Sequence, residues 1–146
     1  APSGGFLFVE NGLAITSYTV DANGQLGEGA SVGASNIGSI DVEPSGRFLY
    51  ALTSEPGESF VSLYSIGSSG ELNLEEETDT APSVDRLLAI TPSGRFVYVT
   101  HLQNGTVYGF KINPDSGALA ELPQSFETGE EPDDITIPDV PQQPVI

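Results

Sequence analysis

One phrase of eight residues occurs three times along this chain, and the repeat constrains the fold more than any other feature of the sequence. Each copy is a Pro-Ser-Gly turn followed by aromatic and aliphatic residues, at residues 2–9, 44–51 and 92–99. A second apolar phrase, spaced by 46 residues both times, occupies residues 15–20, 61–66 and 107–112. A Gly-x-Leu step then follows at residues 24–26, 70–72 and 117–119. Three phrases in one fixed order indicate a repeated structural unit.

Each phrase has the composition of a β-strand or of a turn between strands. Pro presets φ and Gly accepts the positive φ that ends the turn, while Phe, Tyr and Val favour strands. Asn11-Gly12 and Asn104-Gly105 are tight-hairpin signals between two such runs. One unit is therefore predicted to be four antiparallel strands joined by short turns, which is one blade of a β-propeller. We predict an all-β fold of about three such blades.

Dividing the chain into blades splits the first blade between the two termini. With the strands lettered A to D from the propeller axis outward, residues 5–30 are predicted to form strands B to D of the first blade. Residues 37–79 and 85–127 are predicted to form two complete blades. Residues 133–138 are predicted to form the A strand that the first blade lacks, which completes a propeller segment over residues 1–140. The Pro-rich tail, residues 141–146, is predicted to be extended or disordered.

The charge balance excludes two classes of partner. The chain has 21 acidic and 4 basic residues, which gives a formal net charge of −17. Binding of phosphate requires clustered Lys and Arg, so we expect neither nucleic acid nor an anionic membrane as a partner. The acidity fits either simple solubility or adaptation to high salt, and we expect an extracellular location or a high-salt cytoplasm. The chain has no cysteine, which excludes disulfides and thiolate metal sites.

Two of the repeated phrases carry a resemblance to a known family. Residues 92–99, Pro-Ser-Gly-Arg-Phe-Val-Tyr-Val, and residues 106–119, Thr-Val-Tyr-Gly-Phe-Lys-Ile-Asn-Pro-Asp-Ser-Gly-Ala-Leu, resemble the lactonase-type seven-bladed propellers. That family includes 6-phosphogluconolactonase-like and carboxy-muconate-cyclase-like proteins, and the resemblance covers residues 2–140. It implies a lactone-related activity in the central channel of a ring with more blades than this chain is predicted to supply.

The sequence departs from the family pattern at the start of one inner strand. The family often has Gly-x-x-Pro-Arg-His-Ile there, whereas this chain has Gly-Glu-Glu-Pro-Asp-Asp-Ile at residues 129–135. Asp133 and Asp134 thus stand where the resemblance implies Arg and His, although Arg86 is retained beside Asp85 one blade earlier. Carboxylates in place of cations disfavour the binding of a phosphorylated sugar lactone.

Two sets of residues are candidates for a site. His101, the only histidine, ends a B strand and is a candidate general base, with Arg86 as a second catalytic group. The repeat partners of His101 are Asn11 and Thr53, which favour the alternative of a position that simply takes polar residues. The remaining candidates are predicted to line the channel, either as ligand-binding groups or as solvated strand ends: Asp41, Asp85, Asp133 and Asp134. No metal site and no cofactor are predicted.

Two functions stay open at the level of the sequence. The first is a binding or assembly module whose ring is completed by oligomerisation, with two copies forming a six-bladed ring, or by the remainder of a longer propeller. The second is an enzyme that hydrolyses or forms a lactone in the central channel. We favour the first because the chain is short and its inner strands lack the expected basic residues. A small-molecule ligand, such as a carbohydrate or a cation, is compatible with the acidic channel.

Overall fold

A computed structural model describes residues 5–80, 85–101, 105–129 and 134–138 of the chain. These residues form twelve strands and no helix, so none of them belongs to a helix that could cross a membrane. The strands are β1 (Phe6–Glu10), β2 (Ala14–Val20), β3 (Leu26–Gly27), β4 (Ser31–Gly33), β5 (Ile37–Val42), β6 (Phe48–Glu55), β7 (Glu58–Ile66), β8 (Leu72–Asp79), β9 (Asp85–Ile90), β10 (Phe96–His101), β11 (Thr106–Ile112) and β12 (Leu119–Glu127).

The strands form three four-stranded antiparallel sheets, and each sheet is one blade. The second blade has the order β5-β6-β7-β8 and the third has the order β9-β10-β11-β12, so that neighbours in sequence are neighbours in space. The first blade contains β1 to β4. The predicted all-β fold of propeller blades is therefore confirmed for the described part of the chain.

The first blade differs from the other two in its outer strand. Both β3 and β4 pair with the same edge of β2, β3 near Val20 and β4 near Ala14, so they are two pieces of one interrupted strand. Between the pieces, Ala30 and Ser17 exchange hydrogen bonds, and a methyl group on Gly29 would lie 1.8 Å from the Ser17 carbonyl oxygen. Only glycine fits this close approach. The outer strand consequently ends at Gly33, beyond the predicted limit of residue 30.

The inner edge of the first blade has no strand beside it within the described residues, since β1 pairs only with β2 there. Residues 134–138 were predicted to belong to an inner strand, but they form no strand in this structure. Residue 133 and the tail from residue 139 lie outside the described residues. Closure of the first blade by the distant end of the chain therefore stays a prediction.

The blades pack face to face, and a hydrophobic core lies at each junction. Because alternate residues of a strand point to opposite faces, a blade can pack on both sides. We call the side turned to the next blade in sequence the forward face and the opposite side the rear face. In the junction of the second and third blades, the forward face of the second supplies Tyr50, Leu52, Val61 and Leu63, and the rear face of the third supplies Leu88, Ile90, Val97, Val99, Tyr108, Phe110 and Ile112. In the other junction, the rear face of the second blade supplies Leu49, Ala51 and Tyr64.

Candidate functional site

Side chains of the inner strand β5 join it to the next inner strand, β9. Asp41 accepts hydrogen bonds from the backbone N–H of Ile90 on Oδ2, at 3.0 Å, and from that of Val42 on Oδ1, at 2.9 Å. Ser39 Oγ accepts a longer one, 3.4 Å, from the N–H of Leu88. The Asp41 carboxylate therefore holds two inner strands together, and its predicted contact with a ligand stays a prediction.

The backbone brings three of the predicted site residues to one end of the third blade. His101 is the last residue of β10 and lies opposite Asp85, the first residue of β9. The ladder shifts register between Thr100 and His101, so Arg86 is an extra residue of β9 with no partner in β10. Directly opposite residues of antiparallel strands have Cα atoms about 4.5–5.5 Å apart. The register thus places His101, Asp85 and Arg86 at neighbouring positions of two strand ends.

The side chain of His101 is buried, unlike that of a solvated loop residue. It is 2% exposed, and its ring meets the ring of Tyr108 edge-on, with centroids 6.2 Å apart. Tyr108 belongs to β11 and to the core between the second and third blades. The imidazole is therefore shielded from bulk water.

A polar cluster in the second blade occupies the equivalent place and was missed by the sequence analysis. Thr53, the repeat partner of His101, is buried, and its Oγ1 lies 2.9 Å from Oγ of the buried Ser62. Ser62 also donates a hydrogen bond to Glu77 Oε1 at 3.4 Å. A cavity of about 200 Å³ opens here, lined partly by Thr53 and Glu77. The sequence signal for this cluster is the repeat itself, in which Thr53 aligns with His101 and Ser62 aligns with Tyr108. In each blade the two aligned residues are in contact with each other.

Three of the four basic residues of the chain lie away from His101. Arg47, in the turn between β5 and β6, donates to the Pro114 carbonyl at 2.5 Å and lies over the ring of Phe48. Arg95 occupies the same turn of the third blade, which is at the opposite end of β10 from His101. Lys111 is exposed on β11. Arg86 is the remaining basic residue, and its backbone position is next to the pair of Asp85 and His101.

Of the two predicted acidic site residues near the C-terminal end, Asp133 and Asp134, only Asp134 is among the described residues. Asp134 is exposed, and its Oδ1 accepts a hydrogen bond from the N–H of Ile135 at 2.8 Å. Asp133 lies outside the described residues, so its predicted place at the channel is not tested.

Comparison with known proteins gives one family and consistent structural neighbours. The family described as "Lactonase, 7-bladed beta-propeller" matches residues 6–133. A curated 6-phosphogluconolactonase of Formosa agariphila is 35% identical over 88 residues, which are 60% of this chain and 25% of that protein.

Two solved structures share the fold of the described blades. A putative 6-phosphogluconolactonase of Bacteroides fragilis superposes with a TM-score of 0.77 at 22% identity, over 86% of this chain and 37% of that chain. A periplasmic gluconolactonase of Pseudomonas aeruginosa superposes with a TM-score of 0.72 at 24% identity, over 88% of this chain and 38% of that chain. The chain thus spans a quarter of its curated relative and under two fifths of these structures. On the family match, which covers most of its length, the chain belongs to the lactonase family of seven-bladed β-propellers.

Proposed function

We propose that the propeller to which these blades belong hydrolyses a lactone, with the reaction at the end of the third blade where His101, Asp85 and Arg86 are neighbours. The observation that carries the proposal is the family match over residues 6–133. The name of the curated relative, 6-phosphogluconolactonase, supports the same reaction class. This is the enzymatic alternative of the sequence analysis, and it has more support than the assembly role favoured there.

Lactone hydrolysis needs a base for water and a positive charge for the oxyanion. In the proposed reaction, the His101 imidazole takes a proton from water as the water oxygen bonds to the lactone carbonyl carbon. The Arg86 guanidinium stabilises the negative charge that develops on the carbonyl oxygen. The ring C–O bond then breaks, and the departing ring oxygen takes the proton from the imidazolium, which gives a hydroxy acid. Asp85 is the residue opposite His101 in the sheet.

The charges of the chain favour a lactone without a phosphate group. Phosphate recognition uses several convergent cations, and this chain has one, Arg86, near the proposed site. Asp134 adds a carboxylate after the third blade, and the net charge of −17 repels a phosphorylated substrate. A neutral lactone needs no cluster of cations and is not repelled by the negative charge of the chain.

The test is hydrolysis of glucono-δ-lactone and of its 6-phosphate by the purified propeller that contains these blades, measured as acid release above the spontaneous rate. We expect the neutral lactone to be preferred. His101→Asn and Arg86→Gln should each lower kcat/KM by about 10²-fold or more, because each removes a group that acts in the transition state.

Thr53→Ala is the matched control, since Thr53 is the repeat partner of His101 in a different blade. It should leave kcat/KM within about twofold, and circular dichroism should show that all variants are folded. No hydrolysis of either lactone by the wild-type propeller would contradict the reaction, and preference for the phosphorylated lactone would contradict the substrate class. Full activity of both His101→Asn and Arg86→Gln would contradict the proposed location of the reaction.

A further inference from the structure

A polar cavity lies between the first two blades, and the proposed reaction does not use it. It has a volume of about 200 Å³ and lies on the rear face of the second blade, beside Thr53. One wall consists of three small residues that join β4 to β5, namely Gly33, Ala34 and Ser35. The opposite wall belongs to β6, β7 and β8. We call this space the Thr53 cavity.

The floor of the Thr53 cavity is a buried hydroxyl group whose hydrogen is already used. Thr53 is 6% exposed, and its partner Ser62 is fully buried. Ser62 has one hydroxyl hydrogen, which it donates to the Glu77 carboxylate, so Thr53 is the donor in the hydrogen bond between the two hydroxyls. Thr53 Oγ1 therefore offers only lone pairs to the cavity, and a ligand that fills the cavity has to donate a hydrogen bond there.

The rim of the cavity adds further acceptors and some apolar surface. Glu55 and Glu77 line the cavity and are exposed, so their carboxylates lie where the cavity meets solvent. An ionised carboxylate accepts hydrogen bonds and donates none. The rings of Phe60 and Tyr64 and the side chain of Leu74 supply the apolar part. None of the described lining residues is basic, so the site repels an anion and suits a ligand with several donors.

The repeat shows that the blade fold does not require this cavity. At the aligned positions the third blade has two rings, those of His101 and Tyr108, which meet edge-on. The second blade has two small hydroxyl residues there, Thr53 and Ser62. Two rings are thus replaced by two hydroxyls, which leaves both space and a polar lining. Cavities that stay empty in proteins are apolar, whereas polar ones of this size hold water or a ligand.

The Thr53 cavity is separate from the place proposed for the reaction. Thr53 lies on the rear face of the second blade, because it alternates along β6 with Leu49 and Ala51 of the first junction. His101 packs on Tyr108, which belongs to the core on the forward face of the same blade. The sheet of the second blade therefore stands between the cavity and the imidazole.

We propose that the Thr53 cavity binds a small neutral polyol of the size of one monosaccharide, at a site distinct from that of lactone hydrolysis. Hydroxyl groups of the polyol donate to Thr53 Oγ1 and to the carboxylates of Glu55 and Glu77, while its C–H groups pack on the ring of Phe60. A cavity of about 200 Å³ has room for about six water molecules, which limits the ligand to about one sugar ring. An ammonium group alone would leave most of this space and the apolar surface to water.

Calorimetric titration of the purified propeller that contains these blades tests the proposal with four neutral probes: D-glucose, D-galactose, D-mannose and myo-inositol. We expect at least one of them to bind with a dissociation constant of about 1 mM or lower. Ethylammonium and gluconate should bind at least tenfold more weakly, because the first covers little of the cavity and the second is repelled by the carboxylates. No binding of any neutral probe, or tighter binding of either ion, would overturn the proposal.

Glu77→Ala tests whether the polyol is bound in this cavity, and Glu76→Ala is its matched control. The two glutamates are neighbours on β8 and both are exposed, but only Glu77 lines the cavity and accepts from Ser62. Glu77→Ala should raise the dissociation constant at least tenfold, because it removes an acceptor for the ligand, and Glu76→Ala should leave it within about twofold. Equal affinity of the two variants would overturn the proposal.

A double substitution closes the cavity with the side chains of the third blade. Thr53→His combined with Ser62→Tyr reproduces the pair of His101 and Tyr108, and the folded variant should lose polyol binding. Unchanged binding by this variant, with its fold checked by circular dichroism, would overturn the proposal. The comparison of Glu77→Ala with Glu76→Ala decides the matter equally well if the double variant does not fold.

His101→Asn separates this proposal from that of lactone hydrolysis. The substitution should lower hydrolysis and leave polyol binding unchanged, because the imidazole lies on the other side of the second blade. A propeller that binds the polyol and hydrolyses no lactone would contradict the proposed reaction alone. Loss of polyol binding in folded His101→Asn would place the polyol at the proposed reaction site and would overturn the inference of a separate site.

Discussion

At the scale of single residues, the repeat allows different side chains to perform one task. The turn between the first two strands of the second blade is held by Glu43, whose carboxylate accepts hydrogen bonds from the N–H groups of Ser45 and Arg47 at 2.9 and 3.0 Å. In the third blade the same turn is held by Thr91, whose Oγ1 accepts from the N–H of Arg95 at 3.3 Å. Burial raises the pKa of Glu43, but its hydrogen bonds outweigh that effect and hold the pKa below the usual 4.5.

Replacing Glu43 with Val and with Thr should separate the hydrogen bonds of this turn from its packing. Glu43→Val leaves backbone N–H groups without their acceptor and should cost about 2 kcal/mol at pH 7, whereas Glu43→Thr keeps an acceptor and should cost about 1 kcal/mol less. Because the folded-state pKa is lowered, the carboxylate stabilises the fold above the unfolded pKa, and this contribution disappears as pH falls through the folded value.

Urea unfolding at pH 7 and in acid measures both effects. The difference between wild type and Glu43→Val should shrink in acid, where the carboxyl is protonated in both states. A Val variant as stable as wild type at pH 7 would show that the turn does not need the carboxylate.

At the scale of strands and turns, the local sequence predicts the boundaries of a blade well. It does not predict contacts between residues that are distant along the chain. The third blade spans residues 85–127, because Pro-Ser-Gly and Gly-x-Leu turns act within a few residues of the chain. The interruption of the outer strand at Gly29 depends on its approach to Ser17, which no local pattern reveals. The burial of His101 against Tyr108 likewise depends on the neighbouring strand and blade. His101, Asp85 and Arg86 could be selected from the sequence, but their register could not.

The hairpin glycines should differ in their tolerance of alanine according to the blade that carries them. Gly70→Ala and Gly24→Ala impose the same strain of about 1 kcal/mol, since both residues have positive φ. Only Gly70→Ala also drives a methyl group into the ring of Phe6, which should add about 1–3 kcal/mol.

Denaturant midpoints, measured at a protein concentration where sedimentation shows a single chain, give the comparison. Equal destabilisation by both substitutions would mean that the first two blades do not pack as the structure shows.

At the scale of the whole molecule, charge and apolar surface act against each other. The outer strand β8 contains three consecutive exposed glutamates, at residues 75–77, and such charges discourage pairing at a sheet edge. The first and third blades have exposed apolar side chains on their outward faces. The acidic surface disfavours close approach of two chains in dilute buffer, where like charges are not screened.

Screening should also stabilise the single folded chain, because its acidic residues outnumber its basic residues by 17. Raising salt from about 0.01 M to about 1 M shortens the Debye length from about 30 Å to about 3 Å. Close like-charged neighbours each cost a few tenths of a kcal/mol, so the free energy of unfolding should rise by about 1–2 kcal/mol. Three exposed glutamates, Glu58, Glu76 and Glu127, make no side-chain hydrogen bond to another described residue. Replacing them by Gln should reduce this salt dependence and stabilise the chain most at low salt. Urea unfolding across the salt series, at a protein concentration where sedimentation shows a single chain, measures how the free energy of unfolding of each protein depends on salt. The same salt dependence in wild type and in the triple variant would show that the effect does not come from repulsion among these carboxylates.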